Sequence, residues 1–300
     1  MIYPAVSLTY LTNTLITKFA VGTTSTPTNS PITPTTRPTR APTGSRTRTR
    51  KKKVLDFLAD FLAEEATAAT TAKTDTSFLD LGTGNGDMLF GLRDAGWTGP
   101  MKGVDYSERS VEFARRIEDA RRKGLTPRHT FDDDDNSDDD EAQEAKEEGE
   151  EEIPAIDFQI HDILTPSHPL AAQSPHGGQG WDVVLDKGTF DAISLSSETD
   201  PATGRRVSES YRARVLPLVR ENGLFLVTSC NWTEDELAKW FAGEQETEQQ
   251  EGQGQEDQTE ERRWKFEQVG RVEYPSFSFG GVKGSTISSL CFRKTARATS

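Results

Sequence analysis

The stretch Phe78-Leu-Asp-Leu-Gly-Thr-Gly-Asn-Gly86 constrains this chain more than any other. Leu79 to Leu81 read as the end of a buried strand, and glycines follow at positions 82, 84 and 86. A backbone of this kind turns tightly with no β-carbon in the way, so a ligand can lie against it. Asp80 stands two places ahead of the first glycine. After a helical stretch, Met101-Lys-Gly-Val-Asp105 reads as a second strand that ends in a carboxylate. A glycine loop after one strand and a carboxylate after the next can hold a nucleoside. The loop accommodates its tail and the carboxylate takes the ribose hydroxyls.

The spacing narrows the nucleoside. A dinucleotide fingerprint is G-x-G-x-x-G, opening a helix whose N-terminus faces a pyrophosphate. Here the spacing is G-x-G-x-G with a carboxylate ahead of it, which would repel a pyrophosphate and suits a tail carrying an ammonium. This form resembles class I S-adenosylmethionine-dependent methyltransferases. The resemblance implies S-adenosylmethionine as cofactor, with Asp80, Gly82, Thr83, Gly84 and Gly86 around its amino-acid end.

Composition separates what can fold from what cannot. Residues 1–53 hold no acidic residue, many Thr, Pro and Arg, and a basic end, Arg46-Thr-Arg-Thr-Arg-Lys-Lys-Lys53. Residues 132–152 carry 14 carboxylates against one lysine, and 244–261 are almost wholly Glu, Gln, Gly and Asp. Such stretches offer too little apolar surface to offset their ordering entropy and are expected to be disordered. One domain, 54–294, is therefore expected, with a disordered basic tail at 1–53 and acidic insertions at 132–152 and 244–261. The net charge of −14 falls mostly on those insertions. The mildly acidic remainder gives no footprint for direct nucleic-acid binding and would tolerate a basic protein partner. Two cysteines, Cys230 and Cys291, exclude a disulfide framework, and the four histidines show no ligand spacing, so no metal is expected. No stretch is long and apolar enough for a membrane span. The N-terminal residues loosely resemble a transit peptide, and the Lys/Arg cluster a nuclear signal.

Periodicity supplies the architecture. Apolar residues at 54, 55, 58, 61 and 62 predict a helix over 54–65. Strands are expected at 77–81, 101–105, 156–160, 181–186 and 223–229, the last nearly continuous in apolar residues, as burial on both faces requires. Helices are expected at 87–95, at 108–123 behind an N-cap at Ser107, and around 211–219. Trp264 to Val272 and Ser285 to Arg293 are strand-like runs joined too briefly for a crossover helix, so they should form an antiparallel hairpin. The expected fold is α/β: a single doubly wound, Rossmann-like, seven-stranded sheet with a C-terminal antiparallel hairpin.

Ligands in an open parallel sheet sit beyond the C-terminal ends of the strands, where strand order switches. Asp105 is the expected ribose ligand. Tyr106 either covers the adenine or packs. Asp162 is expected to accept from the adenine amino group, or else is a turn residue, and Ile163 would supply an apolar contact. Asp186 is expected near the donor methyl, orienting an acceptor amine. Phe190 and Trp232, with Asn231 between the latter and the strand, would wall an acceptor channel by cation–π contact or else pack in the core.

Asp80 to Gly86, Gly96 to Ser107, Trp181-Asp-Val-Val-Leu-Asp-Lys-Gly-Thr-Phe-Asp-Ala-Ile-Ser194 and Leu226-Val-Thr-Ser-Cys-Asn-Trp-Thr233 resemble the lysine methyltransferases of translation elongation factor one alpha. The resemblance runs from Val54 to Lys294 between the acidic runs. It implies a cytoplasmic enzyme, a monomer, that methylates lysine on a folded, basic elongation factor. Family members carry an aromatic and acidic cofactor-covering segment ahead of the first helix, which residues 1–53 do not match. The expectation is weakened donor binding. Alternatives are a small-molecule methyltransferase on the same fold, or a catalytically impaired module that retains it.

Overall fold

The computed structural model describes residues 43–65, 73–125, 153–165, 169–201, 203–243, 263–275, 277–279 and 282–297. Residues 1–42 and both acidic insertions expected from composition lie outside these. Strands β1 (Phe78–Leu81), β2 (Met101–Asp105), β3 (Asp157–Ile160), β4 (Trp181–Lys187) and β5 (Val219–Ser229) are followed by β6 (Trp264–Arg271), a short ribbon of β7 (Phe277–Phe279) and β8 (Val282–Gly284), and β9 (Ser288–Ala296). Seven of them form one sheet in the order β3-β2-β1-β4-β5-β9-β6. The first five run parallel, and β9 pairs antiparallel with both β5 and β6. The C-terminal hairpin is thus present, its second strand lying between β5 and the first.

Both faces of the sheet are covered, which explains the continuous apolar strands. Phe78, Val183, Leu185, Leu224, Leu226 and Cys291 face one layer, while Leu79, Leu81, Val184, Phe225, Val227 and Phe292 face the other. The first layer is α1 (Thr43–Glu65), α2 (Asp87–Asp94) and α3 (Glu108–Arg122). The second includes α5 (Thr189–Leu195), α6 (Tyr211–Val215) and α7 (Glu234–Ala242), after the single turn α4 (Pro169–Ala172). The Ser107 hydroxyl caps α3 by accepting from Ser110 N–H at 3.3 Å, as its sequence position implies.

Three local readings are corrected. Helix α1 starts at Thr43, so residues 43–53 are helical and not part of a tail. Tertiary contact holds this basic turn: Lys51 Nζ meets Asp87 at 2.6 Å, at the head of α2. The single helix expected around 211–219 is α6 followed by a 3-10 turn, Leu216–Leu218, where Pro217 cannot supply a helical N–H. Helices α5 and α7 were not anticipated. The signal for α7 was present: Thr233 and Glu236 form a reciprocal capping box, with Thr233 N–H donating to Glu236 at 2.9 Å.

Candidate active site

Strand order reverses between β1 and β4, and the glycine loop leaves β1 at that point. Its glycines serve different needs. At Gly82 (φ 64°), a β-carbon would come within 1.9 Å of Thr189 Oγ1. That hydroxyl donates to the Leu81 carbonyl at 2.8 Å and ties the head of α5 to the end of β1. At Gly84 (φ 57°), a β-carbon would meet nothing within 4 Å, so the loop opens on free space there. The Gly84 N–H donates to Asp105 Oδ2 at 2.9 Å, while Ser107 N–H donates to Asp105 Oδ1 at 2.8 Å. Asp105 therefore joins the loop to the head of α3, each oxygen keeping a further lone pair for a hydroxyl donor. Thr83 N–H reaches the Val104 carbonyl at 2.9 Å, and Gly86 accepts the chain into α2.

Asp80 and Asp186 lie buried beside this loop, 3 % and 1 % exposed. Burial pushes the Asp80 carboxyl up to about 7, against the nearby Thr83 hydroxyl and the charge of Lys187. Burial likewise raises Asp186 to about 6, opposed by hydrogen bonds from Tyr211, Thr189 and Phe190. Two carboxyls whose ionisation is suppressed form a place where an incoming cation is strongly favoured.

Around Asp105 the surface is apolar and open. Tyr106 is 43 % exposed and Ile160, its neighbour at the end of β3, 46 %. The Tyr106 phenol is raised by partial burial and by the charges of Asp105 and Asp162. Asp162 is exposed, and its side chain closes a turn by accepting from Leu164 N–H at 2.9 Å. Ile163 turns into the core. Ile160 was missed by sequence reasoning; it pairs directly with Asp105, and the signal was its place as the last residue of the third expected strand.

Two expectations about the acceptor side are overturned. Asp186 does not present a free carboxylate to an amine. Its Oδ1 accepts from Thr189 N–H at 2.8 Å, and its Oδ2 from Phe190 N–H at 2.9 Å and Tyr211 O–H at 2.5 Å. Nor does Phe190 wall a channel: it is fully buried, ringed by Tyr211, Trp232, Trp240 and Phe241 at centroid distances of 5.0–5.5 Å. An aromatic residue beside a site suits core and channel equally, and sequence cannot choose between them. Trp232, by contrast, is half-buried, resting on Phe190 with its Nε1–H donated to Ser194 Oγ at 3.0 Å. Asn231 beside it is exposed.

A family model described as a methyltransferase domain matches residues 72–148. The chain is similar to the protein-lysine N-methyltransferase EFM4 of Saccharomyces cerevisiae, 34 % identical over 73 % of this chain and 71 % of that protein. The chain belongs to this protein-lysine methyltransferase family. The methyltransferase is also similar to EEF1A lysine methyltransferase 2 of Danio rerio, 30 % identical over 76 % of this chain and 70 % of that one. Among solved structures, magnesium protoporphyrin IX methyltransferase of Synechocystis PCC 6803 aligns at a TM-score of 0.43 and 12 % identity, covering 82 % of this chain and 79 % of that one. For this methyltransferase, family membership thus rests on the curated relatives, and the fold on its own strand order. Among the described residues, no helix is long and apolar enough to cross a membrane.

Proposed function

We propose that this methyltransferase transfers a methyl group from S-adenosylmethionine to a lysine of translation elongation factor one alpha, acting as a cytoplasmic monomer. The observation that carries the donor is the buried pair Asp80 and Asp186 beside a loop that opens on free space at Gly84. Buried carboxyls held above their ordinary range gain most, as carboxylates, from a ligand with a cationic tail. Asp105 keeps acceptor capacity for the ribose hydroxyls, and Tyr106 and Ile160 offer apolar faces for the base, with Asp162 at its rim. The names of the curated relatives support the acceptor.

The bound donor would supply an activated methyl on a sulfonium: the carbon–sulfur bond breaks, a carbon–nitrogen bond forms, and a neutral thioether leaves. The protein's contribution is alignment and a neutral amine. A lysine ammonium, with an ordinary pKa near 10.4, loses its proton more readily when desolvated beside positive charge. Trp232 presents a half-exposed indole face that can hold the amine's methylene stem and cation. Asp186 acts from behind, fixing the end of β4 to the head of α5 and to Tyr211 of α6 through its three donors.

The test is incubation of the purified chain with the elongation factor and donor, with modified residues mapped by mass spectrometry. Methyl appearing on a factor lysine, and abolished by Asp105→Ala, is the expected result. Labelled methyl confined to low-mass products would overturn the protein substrate.

A further inference from the structure

The loop that carries Asn231 and Trp232 is shaped by a carboxylate that touches neither expected ligand. Asp191 lies in the first turn of α5 and is 9 % exposed. Its Oδ2 accepts from Cys230 N–H at 2.7 Å, and its Oδ1 accepts the Ser229 hydroxyl proton. With that proton directed at Asp191, the Ser229 oxygen accepts from Asn231 N–H at 3.0 Å and Trp232 N–H at 2.9 Å. Three consecutive backbone donors after β5 are thus satisfied by one carboxylate and one hydroxyl. A second strand of the same network sets the indole. Ser194 Oγ donates to the Asp191 carbonyl at 2.9 Å and accepts from Trp232 Nε1–H at 3.0 Å.

Such a network fixes direction as well as position. A serine hydroxyl has one proton and two acceptor lone pairs, and here all three are in use. Only an acceptor at position 191 leaves the Ser229 lone pairs turned toward both amides. An asparagine amide nitrogen at Oδ1 would donate to Ser229 and crowd it with a third donor. We propose that Asp191 is a positioning residue that sets the acceptor lysine site, its carboxylate holding the Cys230-to-Trp232 turn through Ser229 and its main-chain carbonyl holding the Trp232 indole through Ser194. The inference rests on the protein-lysine reading above, because the turn matters only if an acceptor amine approaches there. Misplacement of a reacting partner by about 1 Å costs on the order of a hundredfold in rate.

The experiment uses the full chain with Asp191→Asn, Ser229→Ala and the double variant. Calorimetry gives donor affinity, steady-state kinetics on the elongation factor give kcat and KM, and amide hydrogen exchange follows residues 230–232. Asp191→Asn should lower kcat about 10- to 100-fold, with donor Kd held within about twofold and exchange faster at those three amides. The double variant should be no more than about threefold worse than the poorer single one, because both break one network. Unchanged kcat, or kcat and donor affinity falling together with melting temperature, would make Asp191 an ordinary fold support and overturn the proposal. Should Asp191→Asn fail to fold, Ser194→Ala removes only the indole's partner; it must lower kcat at constant donor affinity, and an unchanged kcat overturns the proposal. If the wild type methylates no elongation factor, the substrate reading has failed by itself. Exchange then tests the network by itself: unchanged rates at 230–232 in Ser229→Ala overturn the positioning role.

Discussion

Tyr211 donates its hydroxyl proton to Asp186 at 2.5 Å, joining the crossover helix α6 to the end of β4 beneath the glycine loop. Both groups are buried, and the phenol is raised well above its ordinary value by that burial and by the carboxylate. In Tyr211→Phe, Asp186 loses a donor that favours its ionised form, so its pKa should rise above about 6. The acid limb of the pH–rate profile should move to higher pH. Stability at neutral pH should fall by about 1–3 kcal/mol, read from denaturant midpoints. A profile that stays in place would separate Asp186 from the limb.

Without donor, Asp80 near 7 and Asp186 near 6 keep protons that the unfolded chain releases around 3.8. The native state then binds more protons than the unfolded one across that window. Their contribution to stability is complete below the ordinary carboxylate range and is lost as pH rises toward 7. Donor binding has the opposite sign, because a cationic tail selects the ionised carboxylates. A group at about 7 implies affinity rising about tenfold from pH 6 to pH 8. Titrations in buffers of different ionisation enthalpy should show proton release on binding, greatest at the acid end. Proton uptake would contradict this.

Gly82→Ala combines a left-handed backbone with a β-carbon 1.9 Å from Thr189 Oγ1. The conformation alone costs about 1–2 kcal/mol, and the clash displaces either the loop or the head of α5. Donor affinity should fall more than tenfold. Adding Thr189→Ala should recover the part due to the clash and leave the backbone cost, which differential melting would resolve.

Lys51→Ala removes the partner of Asp87, a contact in which Lys51 is largely buried and Asp87 about half-exposed. A partly screened pair of this kind contributes about 1 kcal/mol, or roughly 2–4 °C in melting temperature for a domain of this size. An unchanged melting temperature would return residues 43–53 to the status of a tail.

The parts of the fold that sequence made legible were those in which one physical demand had one answer. Alternate glycines behind Leu79 and Leu81 admit only a tight turn after a buried strand, and β1, α2 and β2 lie within a residue or so of their expected bounds. The Trp264 and Ser285 runs were too closely linked for anything but a hairpin, and β6 with β9 is one. Where two demands share a residue type, reading failed. Phe190 fits a channel wall and a core equally, and only its four aromatic neighbours decide. The start of α1 carries Gly44, Ser45 and threonines at 43, 47 and 49, which are poor helix formers, and contacts of Lys51 with Asp87 and of Arg50 with Thr286, far off in sequence, support it. Tyr211 carried no local sign that it would meet Asp186. Asp191 was visible as part of a motif, but its partner Ser229 lies a whole crossover away.

Strand β9 lies inside the sheet although it is made after every other strand, and β6 touches the rest of the sheet only across it. During synthesis, the ribosome must release residues 288–296 before β5 gains its second neighbour. Until then the nascent chain displays a long apolar edge, Leu224 to Val227, with no companion on that side. The interval before β9 pairs is when chaperones have most to protect.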